Sequence, residues 1–503
     1  MVTLDGSTLT PEQTAAVARL NEEAELDASA IRGMRKSRDV VDRLAAGEDA
    51  VYAVNTGVGY LSGQRVPPGD IEQLQINVVR SHACGVGEPL PRDVVRAMML
   101  IRANVLAKGL SGIRPVVARR LCSLLNKGVT PVVPSRGSVG ASGDLAPLAH
   151  MALVLIGEGE AEFEGRRMSG AEALAGAGIE PIRLHAKEGI SLVNGTQAML
   201  ATGTLALIDA EELAEIADSA CALSLDALRG TPSAFDARIH EARPHPGQLA
   251  SARWMDRLLS GSEIRDSHRT CRHVQDAYSL RCAPQVHGAV RDTLAETRRV
   301  FSIELNSATD NPLVFGDEIL SGGNFHGQHL ALALDSTAIA LAALAGISER
   351  RIDRLVNPML SEGLPAFLAR HPGLESGFMM LQVTAAALVA ELRVLASPAS
   401  TGSITTSGNK EDFVSMGMTS ALKLAQGIDL VRNVLAIELM TAARALEFLH
   451  PLKTSPMLET LRAALAGVCP PRPGDAPFSR SIAAVARWLG DWRWWRQANW
   501  AGL

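Results

Sequence analysis

The sequence predicts a mainly α fold: a bundle of long helices with a smaller N-terminal α-rich domain and few short strands. Of the 503 residues, 47% are hydrophobic but only 4% are aromatic. Ala, Leu and Val must therefore supply the core, which favours helices over a sandwich or barrel. Apolar residues at helical spacing fill several long runs. A helix that is apolar on nearly every side must be buried inside a bundle or between subunits. These runs cover residues 197–217, 276–306, 328–357, 378–396 and 415–449.

The N-terminal part opens with a clear helix start. Thr10 is a good N-cap, Pro11 suits the first helical position and Gln13 completes a capping box. Helical spacing continues from there to about residue 46. A strand at 51–54, a glycine-rich loop at 55–63, helices at 71–82, 91–108 and 112–127, and a hairpin at 161–168 are expected next. Three domains follow from this order: residues 1–200, the long-helix bundle 201–460, and a Pro- and Trp-rich tail 461–503.

Composition restricts the classes of partner. The 49 basic and 54 acidic residues give a formal net charge of −5, which offers no basic surface for nucleic acid. Asp335 interrupts the apolar run 330–346, so a buried core helix is expected there and no membrane span. Residues 1–9 lack the features of a signal peptide, and the six cysteines form no CxxC pair. A soluble cytoplasmic protein with reduced thiols is therefore expected.

Three local patterns approach known motifs without completing them. The segment 57–63 has glycines at 57, 59 and 63, and the last stands one place late for a dinucleotide-binding loop. Ser142 lies among small residues, but a nucleophile elbow needs glycine where Asp144 stands. His326 and His329 share a helical face, yet no third ligand is near them in sequence. We therefore expect no Rossmann domain, no serine hydrolase and no metal.

The strongest local feature is the loop of glycine, serine and alanine in residues 137–150, which belongs to the N-terminal domain. The amide nitrogen of Gly143 has no side chain beside it and can attack the carbonyl carbon of Ala141. Loss of two waters, one of them from the Ser142 side chain, leaves a 4-methylidene-imidazol-5-one ring (MIO), an electrophile made from backbone. The tripeptide alone is unspecific, because small residues are common in loops. Its flanking residues make it specific.

This loop closely resembles the cofactor loop of the aromatic amino acid ammonia-lyases and aminomutases. Further similar motifs follow in order at residues 54–57, 81–90, 188–197, 275–282, 306–312, 322–326 and 409–412. The Ser-His pair at 81–82 and Glu411 are most similar to the histidine ammonia-lyase branch. The resemblance implies an autocatalytic MIO from Ala141, Ser142 and Gly143 with no external cofactor. It also implies a homotetramer whose sites are built from several subunits.

The resemblance implies roles for individual residues. Tyr52 corresponds to the base that removes the substrate's β-proton, and Tyr278 to the second active-site tyrosine. Asn194 corresponds to the asparagine near the MIO oxygen. Arg281 corresponds to the residue that binds the substrate carboxylate, a task suited to a planar fork of donors. The other substrate-binding residues implied are His82, Gln275, Phe325, Lys410 and Glu411.

The substrate follows from the ring-binding side of the implied pocket. His82 and Glu411 can both hydrogen-bond an imidazole, and an anionic Glu411 is costly against a phenyl ring. L-Histidine is the expected substrate, with urocanate and ammonia as products. Histidine ammonia-lyases usually carry Gln where this chain has Lys410 and His where it has Phe413, and the segment 390–393 is closer to tyrosine enzymes. Two alternatives stay open: a 2,3-aminomutase acting on L-histidine, or on L-tyrosine as the second choice, and an inactive helical scaffold.

Overall fold

The computed structural model describes residues 1–268 and 274–499, with side chains up to residue 496. The predicted reduced thiol Cys271 and the tail residue Trp500 lie outside the described residues. The protein is 60% helical with few short strands, so the predicted fold class is confirmed. The chain forms two compact units. Unit 1 comprises Met1–Ile208, Thr297–Asp335 and Pro398–Leu422; unit 2 comprises the described residues of Asp209–Glu296, Ser336–Ser397 and Lys423–Leu503.

The first half of the chain is built from short elements. In chain order these are β1 Val2–Leu4, α1 Pro11–Leu20, β2 Ala24–Leu26, α2 Ala28–Ala46, α3 Ile71–His82, β3 Val86–Pro89, α4 Arg92–Ala107, α5 Pro115–Lys127, β4 Thr130–Pro131, β5 Pro134–Arg136, α6 Leu145–Leu155, β6 Glu160–Phe163, β7 Arg166–Ser169, α7 Gly170–Gly176 and α8 Glu188–Val193. The predicted hairpin at 161–168 is confirmed by β6 and β7, in which Ala161 pairs with Met168.

Longer helices dominate the second half. They and the remaining elements are α9 Gln197–Ala227, α10 Ala237–Glu241, α11 Pro246–Leu259, α12 Glu263–Asp266, α13 Tyr278–Arg281, α14 Ala283–Glu304, β8 Leu313–Phe315, β9 Glu318–Leu320, α15 Gln328–Val356, α16 Met379–Leu395, α17 Gly417–Glu447, α18 Pro456–Val468, α19 Ser479–Leu489 and α20 Arg493–Asn499. Short 3₁₀ helices lie at Gly59–Leu61, Pro68–Asp70, Pro232–Phe235, Ala366–Leu368 and Ser407–Asn409. The domain boundaries expected at residues 200 and 460 stay a prediction.

The strands form small separate sheets. β1 and β2 pair in parallel, and β3 pairs antiparallel with β5. β4, β6 and β7 form an antiparallel three-stranded sheet, and β8 and β9 form a hairpin in which Val314 lies opposite Ile319. The pair β3–β5 is the one that matters for the site, because β5 leads directly into the loop 137–144.

Two predicted helices are interrupted. The helix expected from residue 13 to 46 is divided because Asn21 ends α1 in a left-handed conformation, with φ 57°. Asp27 then begins α2 by accepting a hydrogen bond from the backbone N–H of Ser29 at 2.6 Å. The helix expected over 276–306 is also two helices, α13 and α14. Residues 274–277 precede α13 without helical structure.

The strand predicted at residues 51–54 is a turn. The side chain of Asn55 accepts a hydrogen bond from the Val51 N–H at 2.8 Å, which closes the turn locally. Val54 is fully buried in an apolar cluster that also contains Val41 and Ile71. Ala53 adopts φ 60°. The core of unit 1 thus determines the position of this turn, and with it that of the adjacent Tyr52.

Helix α4 is the central helix of unit 1. Its residues from Val94 to Ala107 are all buried, and it packs against α1 and α5. Two arginines, Arg96 and Arg102, lie within this buried stretch with 1% and 0% of their surface exposed. Each therefore needs internal hydrogen-bond acceptors, since buried polar groups are rarely left unpaired.

Unit 2 contains a buried ion pair that supports the short helix α13. Arg351 and Glu438 are both fully buried, and Arg351 Nη2 donates to Glu438 Oε2 at 2.9 Å. Arg351 Nη1 also donates to the carbonyl oxygen of Ser279 at 3.3 Å. Ser279 is the second residue of α13, so the ion pair is bonded directly to the helix that carries Tyr278 and Arg281.

Among the described residues, one helix, α15, is long and apolar enough to cross a membrane. Of its most apolar 18-residue window, 56% is buried inside the protein. The core helix of a globular protein meets the same criteria, so its length and composition are weak evidence for a span.

Candidate active site

The loop 137–144 connects β5 to α6 and lies against the segment that follows α8. Gly143 has φ 75°, and a Cβ there would lie 2.1 Å from the carbonyl oxygen of Gly195. The two glycines form a backbone bridge, and the N–H of Asp144 donates to Gly195 O at 2.7 Å. The two backbones can approach this closely because Gly143 has no side chain.

The carbonyl oxygen of Ser142 receives two hydrogen bonds from that segment. Asn194 Nδ2 donates to it at 3.2 Å, and the Gly195 N–H donates to it at 3.3 Å. Asn194 is 5% exposed, and its Oδ1 has no hydrogen-bond partner among the described residues. Two donors that converge on one carbonyl oxygen stabilise negative charge on it.

The side chain of Ser142 is bonded to Glu411. Ser142 Oγ donates to Glu411 Oε1 at 2.7 Å, and Thr406 Oγ1 donates to Glu411 Oε2 at 2.7 Å. Thr406 and Glu411 also pair through their backbones around the 3₁₀ turn 407–409. The structure thus brings together three of the predicted site residues, Ser142, Asn194 and Glu411, whereas the neighbouring Lys410 is exposed.

The base of the loop is held by a buried carboxylate that the sequence analysis did not assign. Asp144 accepts hydrogen bonds from Ser138 Oγ at 2.7 Å and from the Met199 N–H at 2.8 Å. Burial raises the pKa of Asp144 to about 6, against these hydrogen bonds. At the other side of the loop, Ser415 Oγ donates to Gly140 O at 2.9 Å. An aspartate placed between the loop and an apolar helix was the signal in the sequence.

Arg102 was also missed. Its Nη2 donates to Asn194 O at 2.7 Å, and its Nη1 donates to Ser191 O at 3.0 Å. The signal in the sequence was a charged residue within the apolar stretch of α4, from Met98 to Ala107. The acceptors lie about ninety residues further along the chain, so the sequence alone does not identify them.

Three further predicted residues lie in unit 1. Tyr52 is half-buried, and its hydroxyl oxygen accepts a hydrogen bond from the Gly59 N–H at 3.4 Å. His82 ends α3, and its Nδ1 lies 2.7 Å from Val78 O, within its own helix. Phe325 is half-buried in the segment before α15. The imidazole of His82 therefore has only Nε2 free of this helical contact.

The remaining predicted residues, Gln275, Tyr278 and Arg281, belong to unit 2. The guanidinium carbon of Arg281 lies 4.6 Å from the centroid of the Tyr278 ring. Tyr278 is 70% exposed, and Arg281 Nε has no hydrogen-bond partner among the described residues. Gln275 precedes the helix and is exposed.

Within residues 1–268 and 274–499, no group of three or more His, Cys, Asp or Glu side chains is placed to hold a metal ion. The polar groups around Ser142 are instead hydrogen-bond donors and one carboxylate. Such a set can bind and polarise an organic group.

The contact between Gly143 and Gly195 generates a stability prediction. Gly143→Ala combines a left-handed φ with a Cβ 2.1 Å from Gly195 O, whereas Gly165→Ala has a similar φ of 72° and no atom within 4 Å. Gly165→Ala should cost about 1–2 kcal/mol. Gly143→Ala should cost about 1–3 kcal/mol more because it overpacks the loop.

The two variants are compared by urea denaturation in a Ser142→Ala background, which has no hydroxyl to lose and so isolates packing from chemistry. Equal denaturation midpoints for the two variants would show that the loop can move away from Gly195.

The chain is similar to known proteins over nearly its whole length. The family model for aromatic amino acid lyases matches residues 9–467. The histidine ammonia-lyase of Koribacter versatilis is 59% identical over 496 residues, covering 96% of each chain. That of Myxococcus xanthus is 53% identical, covering 97% of this chain and 96% of the relative.

Solved structures give the same family. Histidine ammonia-lyase from Trypanosoma cruzi has a TM-score of 0.91 at 41% identity, covering 98% of this chain and 94% of that chain. Tyrosine aminomutase from Streptomyces globisporus has a TM-score of 0.94 at 41% identity, covering 98% of each chain. The resemblance predicted from the sequence motifs is confirmed, and the chain belongs to the aromatic amino acid lyase family.

Proposed function

We propose that this carbon–nitrogen lyase eliminates the α-amino group of L-histidine and releases urocanate and ammonia. The relatives named histidine ammonia-lyase, 50–59% identical over nearly the full chain, agree with the activity predicted from the sequence. The observation that carries the proposal is the arrangement around Ser142. Two N–H donors hold its carbonyl oxygen, and the carboxylate of Glu411 holds its hydroxyl.

We infer that Ala141, Ser142 and Gly143 form MIO, the prosthetic group of this family. The residues fit the group in two respects. The Gly143 nitrogen has no side chain beside it, and Ala141 is 3% exposed. The Ser142 carbonyl oxygen, which the ring retains, already has two donors. When formed, the group supplies an electrophile that takes up the substrate amine and makes it a better leaving group.

Two residues of unit 1 are proposed to act on the substrate or the electrophile. Tyr52 would take the β-proton, and the Gly59 N–H that donates to its oxygen at 3.4 Å orients the phenol group. Asn194 would hold its amide N–H on the Ser142 carbonyl oxygen while negative charge develops there. Phe325 would pack against the ring or the substrate.

Three residues of unit 2 are proposed to orient the substrate. Arg281 would bind the carboxylate through its fork of donors. Its guanidinium lies over the Tyr278 ring, a cation–π contact that restrains both side chains. Tyr278 would act as the second active-site tyrosine, and Gln275 would contribute to substrate binding.

Recognition of the imidazole is assigned to Glu411, with His82 and Lys410 as further contacts. Thr406 fixes one carboxylate oxygen of Glu411, so the other is directed at Ser142. A carboxylate held in this way accepts an N–H from imidazole, whereas a phenyl ring leaves it desolvated and unpaired. L-Histidine is therefore favoured over L-phenylalanine.

An aminomutase is the second candidate, and the structure of the Streptomyces globisporus tyrosine aminomutase at TM-score 0.94 is the observation that favours it. Such an enzyme performs the same elimination and then returns ammonia to the β-carbon of the product. The two activities differ in product alone, so product analysis separates them.

The formation of the ring and the identity of the product can be tested together. The purified chain should be lighter than its sequence mass by two waters, and L-histidine should yield urocanate. Ser142→Ala should lose at most one water and should lose turnover, because it has no hydroxyl to eliminate and so cannot form the methylidene group. Ser123→Ala is a matched control, since its hydroxyl bonds only its own helix at Arg119 O.

Intact-mass spectrometry and product analysis with L-histidine, L-tyrosine and L-phenylalanine measure this. Formation of β-histidine would show that the chain is an aminomutase and would contradict the lyase proposal. A wild-type chain that keeps its full mass and shows no turnover would support the alternative of an inactive helical scaffold.

Recognition of the substrate imidazole by Glu411 can be tested by substitution. Glu411→Gln keeps the size of the side chain but loses the charge, and a hydrogen bond to a charged group contributes about 1.5–3 kcal/mol. The kcat/KM for L-histidine should fall about 10- to 100-fold, while any rate on L-phenylalanine should not fall. Asp412→Asn, at an exposed neighbouring position, is the control. An unchanged preference between the two substrates would show that Glu411 does not recognise the imidazole.

We propose a homotetramer, as the family resemblance implies. Helix α16 in unit 2 is mostly apolar, yet Met380, Val383 and Val394 are 59%, 46% and 73% exposed in the single chain. An apolar helix face of this kind is typical of a subunit interface.

Light scattering should therefore give a mass of four chains, and Val394→Arg should reduce it. Leu20→Arg, 62% exposed at the end of α1, is the control. A monomeric wild-type chain would contradict the assembly.

We also propose a cytoplasmic location. The described cysteines Cys84, Cys122, Cys221, Cys282 and Cys469 are all free. Unpaired thiols are typical of a reducing compartment. Recovery of the chain in a membrane fraction of lysed cells would contradict this location.

A further inference from the structure

Arg102 occupies an unusual position for an arginine. It is fully buried on α4, and its hydrogen bonds go to two backbone carbonyls, Asn194 O at 2.7 Å and Ser191 O at 3.0 Å. Both carbonyls lie at the C-terminal end of α8, where the last carbonyls of a helix lack partners within the helix. Arg102 therefore supplies the missing donors at this helix end.

The charge of Arg102 is not neutralised by a directly bonded carboxylate among the described residues. Asp310 and Asp144 act on it through space only. Asp310 pairs with Lys187 at 3.2 Å, and Asp144 accepts hydrogen bonds from Ser138 and Met199. Burial lowers the pKa of Arg102 to about 10, so it stays charged at neutral pH. A buried charge without a bonded counter-ion costs stability.

The peptide between Asn194 and Gly195 links Arg102 to Ser142. Arg102 Nη2 donates to the carbonyl oxygen of this peptide, and the N–H of the same peptide donates to Ser142 O at 3.3 Å. A peptide whose oxygen is bonded to a cation is polarised, and its N–H becomes a stronger donor. Asn194 Nδ2, on the same residue, is the second donor to Ser142 O.

The packing around this peptide is tight. A Cβ on Gly195 would lie 2.6 Å from Arg102 Nη2 and 2.5 Å from Gln197 Oε1. The guanidinium therefore rests directly against the Gly195 backbone. Arg102 thus contacts the two residues that carry both donors to the Ser142 oxygen.

We propose that Arg102 is a positioning residue for the lyase reaction, which acts through the Asn194–Gly195 peptide to direct and strengthen the two hydrogen bonds to the Ser142 carbonyl oxygen. Arg102 does not touch the substrate. The proposal rests on the proposed function, because the Ser142 carbonyl belongs to the electrophile that Ala141, Ser142 and Gly143 form.

The test compares Arg102→Lys and Arg102→Met with Arg96→Met. Arg96 is a matched control: it is buried on the same helix and also donates to backbone carbonyls, Val17 O at 2.8 Å and Leu125 O at 3.0 Å, away from the loop. Loss of a direct donor to a developing negative charge costs about 10²–10³ in kcat. Arg102→Met should lower kcat at least about tenfold while KM changes less than about threefold, and Arg102→Lys should recover part of the rate.

A spectroscopic readout separates positioning from general destabilisation. The near-UV absorption of the ring in the native protein depends on the hydrogen bonds to its carbonyl oxygen, so Arg102→Lys and Arg102→Met should shift it relative to the wild-type chain. Arg96→Met should not. Retention of full mass by Arg102→Met, when Arg96→Met loses both waters, also supports the proposal, because the same hydrogen bonds hold the loop before ring closure.

A double-mutant cycle tests the route through Asn194, and it needs only the conservative lysine variant if the methionine variant does not fold. In an Asn194→Ala background, Arg102→Lys should change the native absorption and kcat less than it does in the wild-type chain. Full additivity would show that Arg102 does not act through the Asn194 side chain, and wild-type absorption and kcat in both Arg102 variants would overturn the proposal. A wild-type chain that keeps its full mass and forms no urocanate would instead refute the proposed function.

Discussion

The contact between the backbones of Gly143 and Gly195 is the constraint on which the candidate site depends. A Cβ on Gly143 would lie 2.1 Å from Gly195 O, so the loop cannot accept a side chain there without moving away from Gly195. The contact brings the Asn194–Gly195 peptide to the Ser142 carbonyl oxygen. Two positions without any functional group thus determine where the hydrogen-bond donors point.

The surroundings of this contact are polar but buried, and this combination explains their hydrogen-bonding pattern. Asp144, Arg102 and the Lys187–Asp310 pair are each fully buried, and each is bonded to backbone or to a partner. Electrostatic interactions are stronger in such a dry environment than in water. Groups fixed there can polarise a neighbouring carbonyl without reorganising, which is what stabilisation of developing charge requires. The same burial lowers the stability of the folded chain, so these charges are better explained by the site than by the fold.

Sequence patterns predicted the parts of the molecule that depend on local spacing. The helix at 71–82, the hairpin at 161–168 and the long helices expected from residues 197, 328, 378 and 415 follow from periodicity, and the structure confirms them, whereas the run 276–306 is divided between α13 and α14. The turn at 51–54 does not follow, because a buried cluster of distant residues and the Asn55 side chain override the strand propensity of Val51 and Val54. The contact of Arg102 with the site was not predicted for the same reason, because its hydrogen-bond acceptors are distant in sequence. The roles of the individual site residues stay predictions.

The short helix α13 shows how the position of a functional group can depend on a charge pair that takes no part in chemistry. Four residues are too few to form a stable helix by themselves. Arg351, held by the buried Glu438, donates to Ser279 O and so fixes the helix from below its exposed face. The Tyr278 ring and the Arg281 guanidinium then restrain one another through a cation–π contact. A carboxylate bound by Arg281 would therefore be located by the interior of unit 2, in the way that the Ser142 carbonyl is located by the interior of unit 1.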